Sequence, residues 1–392
     1  MSAKPDEPKT ILQVLPGLHT GGAERTAIDI SQTIVDRGWR SIIASSGGRM
    51  VPEVEAHGAV HIQMPVDSKN PLTIWRNAQR LKKLITEKNV DLIHARSRSP
   101  AWSCLWAAWA KKIPFVTTYH GAYSQSNAVK AYYNSVMARA DVVIANSNWT
   151  ADLIRSRNPW ADGRIQTVYR GTNFEDFNTD TIDAERLAKL RNDWGLKVDD
   201  FVVLQLARLT EWKGQRVVID CAAKIAPHYP QTRFVLAGDP QGREDYVASL
   251  KSSVEAHGIA ANLSMPGHCD DPAAAMALAD VVIVASIDAE AFGRAAVEAS
   301  AFEKPLIVTD IGAVVETVLC PPAVDESERT GWKVLAGDAD AMAQALQALL
   351  DMDDAERQRV GRNARNYVVA NFSLERMCRE TLGIYEKLLD TA

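Results

Sequence analysis

The sequence predicts an α/β protein built from two doubly wound, Rossmann-like domains. Apolar runs rich in β-branched residues recur along the whole chain, and helical stretches fill the gaps between them. The alternation loosens once, through the polar segment Asn173-Phe-Glu-Asp-Phe-Asn-Thr-Asp180, and restarts at Phe201. Strands that alternate with helices imply a parallel sheet covered on both faces. A length of 392 residues suits two such cores better than one. The facing strand ends of two such halves would make a cleft.

In order, strands are predicted at Ile11–Leu15, Ser41–Ala44, Val60–Pro65, Asp91–His94, Phe115–Thr118, Asp141–Ala145 and Ile165–Val168. Helices are predicted between them, among them Ala23–Asp36, Leu72–Lys88, Pro100–Ala110 and Thr150–Arg157. The second half has strands from Phe201 and near Phe234–Ala237, Asn262–Met265, Val281–Ala285 and Leu306–Thr309. Amphipathic helices close it at Ala355–Ala370 and Leu374–Leu389. The expected domains are 1–178 and 179–372, with 373–392 a terminal helix.

Composition removes several function classes. Charged residues at 24% and apolar residues at 46% describe an ordinary globular protein. No apolar run approaches the ~18 residues of a membrane span. The opening MSAKPDEPKT lacks the apolar segment of a secretory signal, so a cytoplasmic location is expected. Five scattered cysteines form no Cys-x-x-Cys, and no metal site is expected. Asp338-Ala-Asp340 has a metal–diphosphate spacing but sits where a helix cap is favoured. The net charge of −5 divides into +6 for residues 1–180 and −11 for residues 181–392, so the first half is the one suited to an anionic partner. No nucleic-acid partner is expected, and the lack of Gly-x-Gly-x-x-Gly argues against a dinucleotide reader.

Two clusters carry chemistry. After the run Val281–Ala285 comes Glu290-Ala-Phe-Gly-Arg-Ala-Ala-Val-Glu298. In open α/β sheets, ligands bind outside the carboxyl ends of strands. Glu290 would sit on the loop there, Gly293 would open the next helix, and Glu298 would lie one turn inside it. Two carboxylates so placed suit hydroxyl-rich ligands; the alternative is a helix with two solvated glutamates. After the run Phe201–Ala207 comes Arg208-Leu-Thr-Glu-Trp-Lys213-Gly214. Arg208 and Lys213 flank a helix N-terminus, which already favours anions, so a diphosphate site is sensible. An ordinary basic loop is the alternative. Together the clusters describe a nucleotide-sugar site.

The string Arg208-x4-Lys213-Gly214 followed by Glu290-x-Phe-Gly-x4-Glu298 resembles the donor half of retaining GT-B glycosyltransferases of family 4. Gly21-Gly22-Ala-Glu-Arg, His120-Gly121 and Asn146-Ser-Asn-Trp149 agree in the first half, and the likeness runs from about Ile11 to about Leu389. The stretch from His94 to Trp102, with Gly47-Gly-Arg-Met50, further resembles lipopolysaccharide-core mannosyltransferases of alphaproteobacteria.

The resemblance implies roles. His120, Glu290, Arg208 and Lys213 would be catalytic. Gly21, Gly22, Gly267, His268, Phe292, Gly293, Arg294 and Glu298 would bind the donor. Arg96 and Arg98, following a predicted strand, would meet the acceptor, since arginine grips carboxylates and phosphates bidentately. Trp102, Trp106 and Trp109 share a helix face, read either as core or as a membrane-interface face. The expected activity is a retaining, metal-independent hexosyl transfer with no cofactor. Mannose from GDP-mannose would pass to a lipopolysaccharide-core or other lipid-linked acceptor at the cytoplasmic face of the inner membrane. A UDP-sugar enzyme making exopolysaccharide or a small glycoside, and a catalytically degenerate scaffold, are the alternatives.

Overall fold

A computed structural model describes residues 8–19, 21–123, 125–178 and 182–391. The chain forms two compact units, Met1–Gly171 with Leu374–Ala392, and Thr172–Ser373. The first break therefore falls at Gly171 instead of 178. Part of the polar connector, Thr179 and Asp180, lies outside the described residues.

The first unit holds a seven-stranded parallel sheet: β1 (Thr10–Val14), β2 (Arg40–Ser45), β3 (Val60–Gln63), β4 (Leu92–Ala95), β5 (Phe115–Tyr119), β6 (Val142–Ala145) and β7 (Ile165–Thr167). Its order is β3-β2-β1-β4-β5-β6-β7. Every residue of β1, β4, β5 and β6 is buried, as helices on both faces require. The chain builds outward from β1 to β3, then returns to lay β4 beside β1. The carboxyl ends of β1 and β4 therefore form the point where strand order reverses, the place where such sheets take ligands.

The second unit repeats the plan with β8 (Phe201–Leu206), β9 (Thr232–Ala237), β10 (Leu263–Gly267), β11 (Val281–Val284), β12 (Leu306–Thr309) and β13 (Gly331–Val334), in the order β10-β9-β8-β11-β12-β13. Here the reversal lies between β8 and β11. Strand β13 is not predicted from sequence. It is a four-residue edge strand with two half-buried members, so it lacks the apolar run that marks the others.

The terminal helix Leu374–Asp390 packs in the first unit. Met377, Leu382, Ile384 and Tyr385 join Ile11, Ile30, Ile34, Leu92 and Val116 in one buried cluster. The amphipathic period predicted for this helix thus supplies a lid for one sheet face. Helix starts follow local chemistry. Asn70 accepts from Leu72 N at 2.9 Å to open Pro71–Lys88, and Asp338 accepts from Ala341 N at 2.8 Å to open Ala339–Leu350. Asp340 pairs with Lys224 at 2.8 Å. The Asp-x-Asp pair is therefore occupied by capping and a surface ion pair. Among the described residues no helix is long and apolar enough to cross a membrane.

Candidate active site

The β8–β11 reversal brings the two sequence clusters together. The segment after β8 forms a short turn, Glu211–Lys213, then a glycine, then helix Gln215–Ile225. Gly214 takes φ +71°, and a Cβ there would collide with Ala285 O at the end of β11. Only glycine lets the two strand-end loops touch here. Ile287 N donates to Trp212 O at 2.8 Å and fastens one loop to the other.

Lys213 Nζ lies 2.6 Å from Glu290 Oε1, with both side chains largely buried. Ser286 Oγ also donates to Glu290 Oε1. The Lys213 carbonyl accepts from Gln205 Nε2 at 2.6 Å, and the Arg208 carbonyl from Gln215 Nε2 at 3.0 Å. Gln215 is in turn held by Tyr246 Oη at 3.0 Å. These buried amides fix the backbone on either side of the two cations. They were not singled out from sequence, because glutamines inside an apolar strand or at a helix start have no motif.

Glu290 is held by its backbone as well. Ala313 N donates to Glu290 O at 2.8 Å, and Gly312 pairs with Glu290 as an isolated bridge. Gly312 has φ +72°, and a Cβ on it would come within 2.6 Å of Glu290 N. Gly293, at φ +87°, caps helix Arg294–Ala301. Glu298 sits inside that helix, buried, with Oε1 2.7 Å from Arg294 Nη2. Arg208 is exposed, with its guanidinium carbon 5.8 Å from the Trp212 ring centroid and Nη1 3.4 Å from Gln241 Oε1. Gly267 ends β10, and His268 is exposed beside Asp270 at 3.4 Å. Phe292 corrects the expectation. It is 5% exposed and packs edge-on against Phe372 at 5.5 Å, so it shapes the loop from beneath and is not presented to a ligand.

In the first unit, Gly21 caps and Gly22 begins helix Gly22–Asp36, after β1. A Cβ on Gly22 would meet the end of the Arg170 side chain. His120 follows β5; its Nε2 is buried without a hydrogen-bond partner among the described residues. Burial, then Arg96, then Arg170 hold its pKa well below the ordinary value, so the ring is neutral near pH 7. A neutral imidazole with an unpaired nitrogen can still donate or accept one hydrogen bond.

The structure separates the two arginines expected to meet the acceptor. Arg96 is 2% exposed. Its Nε donates to Gln13 Oε1 at 2.6 Å, and it also bonds Tyr385 of the terminal helix. Tyr385 Oη lies 2.6 Å from His94 Nδ1, whose Nε2 is 2.8 Å from Thr118 Oγ1. Arg96 is anchored to β1 through Gln13, and its Nη2 is buried without a hydrogen-bond partner among the described residues. Sequence reasoning could not see the contact with Tyr385, because Tyr385 is nearly three hundred positions away. Arg98 starts helix Arg98–Lys111, where a loop was expected, and faces a cavity with Lys69, Lys130, Tyr123 and Tyr133.

Two parallel sheets of this order, each with polar groups at its reversal point, define a GT-B glycosyltransferase. Residues 20–176 match Glycosyltransferase Family 4, and residues 188–367 match Glycosyl transferases group 1. The crystal structure of a glycosyltransferase from Rickettsia africae ESF-5 is 31% identical, with a TM-score of 0.88, covering 99% of this chain and 100% of that one. EpsD of Bacillus subtilis (strain 168) is 27% identical over 90% of both chains. The Anabaena protein Alr3699/HepE, solved in complex with UDP-glucose, shares the fold at a TM-score of 0.79 and 23% identity, covering 96% of this chain and 99% of that one. The chain belongs to the family 4 glycosyltransferases and is an enzyme of that class.

Proposed function

We propose that this glycosyltransferase transfers a hexose from a nucleoside diphosphate sugar, with retention and without a metal ion, to a lipid-linked glycan. The observation that supports this most is the Lys213–Glu290 pair at the β8–β11 reversal. One partner suits a diphosphate oxygen and the other a sugar hydroxyl, so their contact puts the two ends of the scissile bond at one spot. Arg208 and the amides of helix Gln215–Ile225 add positive potential where the leaving diphosphate gains charge. Glu298 takes the ribose hydroxyls and Glu290 those of the sugar. Gly293 and Arg294 border the sugar, and Gly267 and His268 the base.

In the reaction the bond from the anomeric carbon to the diphosphate oxygen breaks. A bond from that carbon to the acceptor oxygen forms on the same face, and the acceptor proton passes to the leaving phosphate. Among the described residues, no group of three or more His, Cys, Asp or Glu is placed to hold a metal ion.

GDP-mannose as donor and a lipopolysaccharide-core acceptor rest on the first-half likeness from His94 to Trp102. A UDP-hexose is the second reading, favoured by the fold shared with the protein solved with UDP-glucose. Peripheral attachment to an anionic membrane is supported by an aromatic and cationic surface on the first unit. Trp106 stacks near Trp102 at 5.9 Å, Trp102 on Tyr132 at 5.4 Å, and Arg139 lies 5.4 Å from Trp160. Trp106, Trp109, Tyr132 and Trp160 are exposed, and Lys111 and Lys112 are exposed at the end of the same helix. Tryptophan and tyrosine beside cations suit the headgroup layer.

A donor screen with membrane extract as acceptor, product mass analysis and excess EDTA tests the proposal. Labelled hexose should appear in a lipid-linked product with EDTA present. Chelator-sensitive transfer, or product only in small soluble glycosides, overturns the corresponding part.

A further inference from the structure

The first unit contains a cavity of about 610 Å³ whose wall includes Asp67, Lys69, Arg98, Ser99, Lys130 and Tyr133. Three of these six residues are cationic and one is anionic. No carboxylate of the described residues forms an ion pair with Lys69, Arg98 or Lys130. An uncompensated excess of positive charge in a concave, partly shielded site is an anion-attracting feature, because low-dielectric walls focus the field.

The arginine is held in place. Arg98 Nη1 donates to Asn134 Oδ1 at 2.9 Å, and its guanidinium carbon sits 4.1 Å from the Tyr123 ring centroid. Asn134 is buried, and burial pushes the Tyr123 hydroxyl up to about 12, so it remains a neutral donor. A guanidinium fixed on one edge and one face presents its remaining N–H groups in a set direction.

A second observation is independent of charge. Ser99 Oγ and Tyr133 Oη are both buried and have no hydrogen-bond partner among the described residues. Native proteins leave few such groups unpaired, and each one in a cavity wall calls for a partner. Hydroxyls paired with hydroxyls, beside cations paired with an anion, describe a polyol that carries a negative group. Asp67 can accept from one further hydroxyl.

We propose that this cavity binds the acceptor through an anionic substituent, a phosphate monoester or a carboxylate on a sugar ring. Lys69, Arg98 and Lys130 take the anion; Ser99 and Tyr133 take ring hydroxyls. This rests on the glycosyltransferase reading and narrows its acceptor to an anionic sugar. Of the two arginines expected from sequence to meet the acceptor, Arg98 is the one that lines this cavity.

The test is calorimetric titration of the full chain, with a nucleoside diphosphate present at saturation to fill the donor site. The probes are methyl glucoside, glucose 6-phosphate and glucuronate. One or both anionic probes should bind at least tenfold more tightly than the neutral one. The Lys69→Gln/Lys130→Gln double variant should lose on the order of tenfold or more of that preference, since each cation removed costs a charge-assisted contact. Tyr133→Phe should weaken all three probes alike. Preference for phosphate alone identifies a phosphorylated acceptor, and preference for glucuronate alone a uronic-acid acceptor. Equal binding of charged and neutral probes, or an undiminished preference in the double variant, overturns the proposal. The nucleoside diphosphate titration is read separately, so loss of the donor reading would leave the anion result distinguishable.

Discussion

Lys213 Nζ and Glu290 Oε1 are 2.6 Å apart, although 77 residues separate them in the chain. One follows β8 and the other follows β11, and the pair forms because those strands are neighbours. Both side chains are largely buried where they meet. A bound donor would have to share both.

That sharing predicts strong non-additivity. Lys213→Ala and Glu290→Gln should each lower transfer by on the order of 10²-fold, as loss of one preorganised group at a developing charge does. The double variant should lose far less than the product of the two. A double-mutant cycle on kcat/KM measures the coupling. Additive losses would mean the two side chains act on unconnected parts of the reaction.

The two arginines should separate by phenotype. Arg96→Gln removes a buried guanidinium that links Gln13 to Tyr385, and should cost about 1–3 kcal/mol of stability. Arg98→Gln should raise the acceptor KM with little change in melting temperature. Thermal melts and acceptor kinetics on both variants check this, and the reverse pattern would return Arg96 to the acceptor site.

The buried histidines set an acid limit. His94 and His120 are both held well below their ordinary pKa, chiefly by burial; next comes Arg96 for each. The unfolded chain therefore binds more protons once pH falls below ~6.5, and stability rises with pH across that window. Each histidine should contribute a slope of about 1.4 kcal/mol per pH unit below that point, until its folded form also titrates. Denaturant melts from pH 7 to pH 5 should show the loss, and His94→Gln should flatten it. An unchanged slope in that variant would place the acid sensitivity elsewhere.

Membrane attachment should depend on aromatic residues as well as charge. Trp109 is 63% exposed and Trp106 37%. Trp106→Ser/Trp109→Ser should release the protein from anionic liposomes even at low salt, whereas Lys111→Glu/Lys112→Glu should weaken binding at low salt and reduce its dependence on salt. Flotation at two ionic strengths reads both. Failure of the unaltered protein to bind anionic liposomes at low salt would remove the membrane from the account.

Much of this was legible in the sequence, for one physical reason. A parallel strand buried on both faces is a continuous apolar run, and the residues that follow it stand at the functional edge. Arg208, Lys213, Glu290 and Glu298 were singled out that way, and the strands they follow are neighbours in the sheet. The edge strand β13 was missed because a half-exposed strand has no such run. The burial of Arg96 against Gln13 was not legible, because that contact joins positions 83 apart in the chain. Phe292 was misread because a motif position does not say which way a side chain points. Lys69 lies in the loop before helix Pro71–Lys88 and Lys130 in the short helix Ala128–Asn134, with no shared spacing, so only the fold gathers them with Arg98.

The central claim is that the second unit grips a nucleoside diphosphate sugar through Arg208, Lys213, Glu290 and Glu298. Calorimetry with GDP, UDP, GDP-mannose and UDP-glucose on the unaltered protein and on Glu290→Gln and Glu298→Gln tests it most directly. The account predicts that one nucleotide series binds, that Glu290→Gln weakens the sugar nucleotide more than the bare diphosphate, and that Glu298→Gln weakens both. No binding of any of the four ligands, or equal losses for every ligand in both variants, would contradict it.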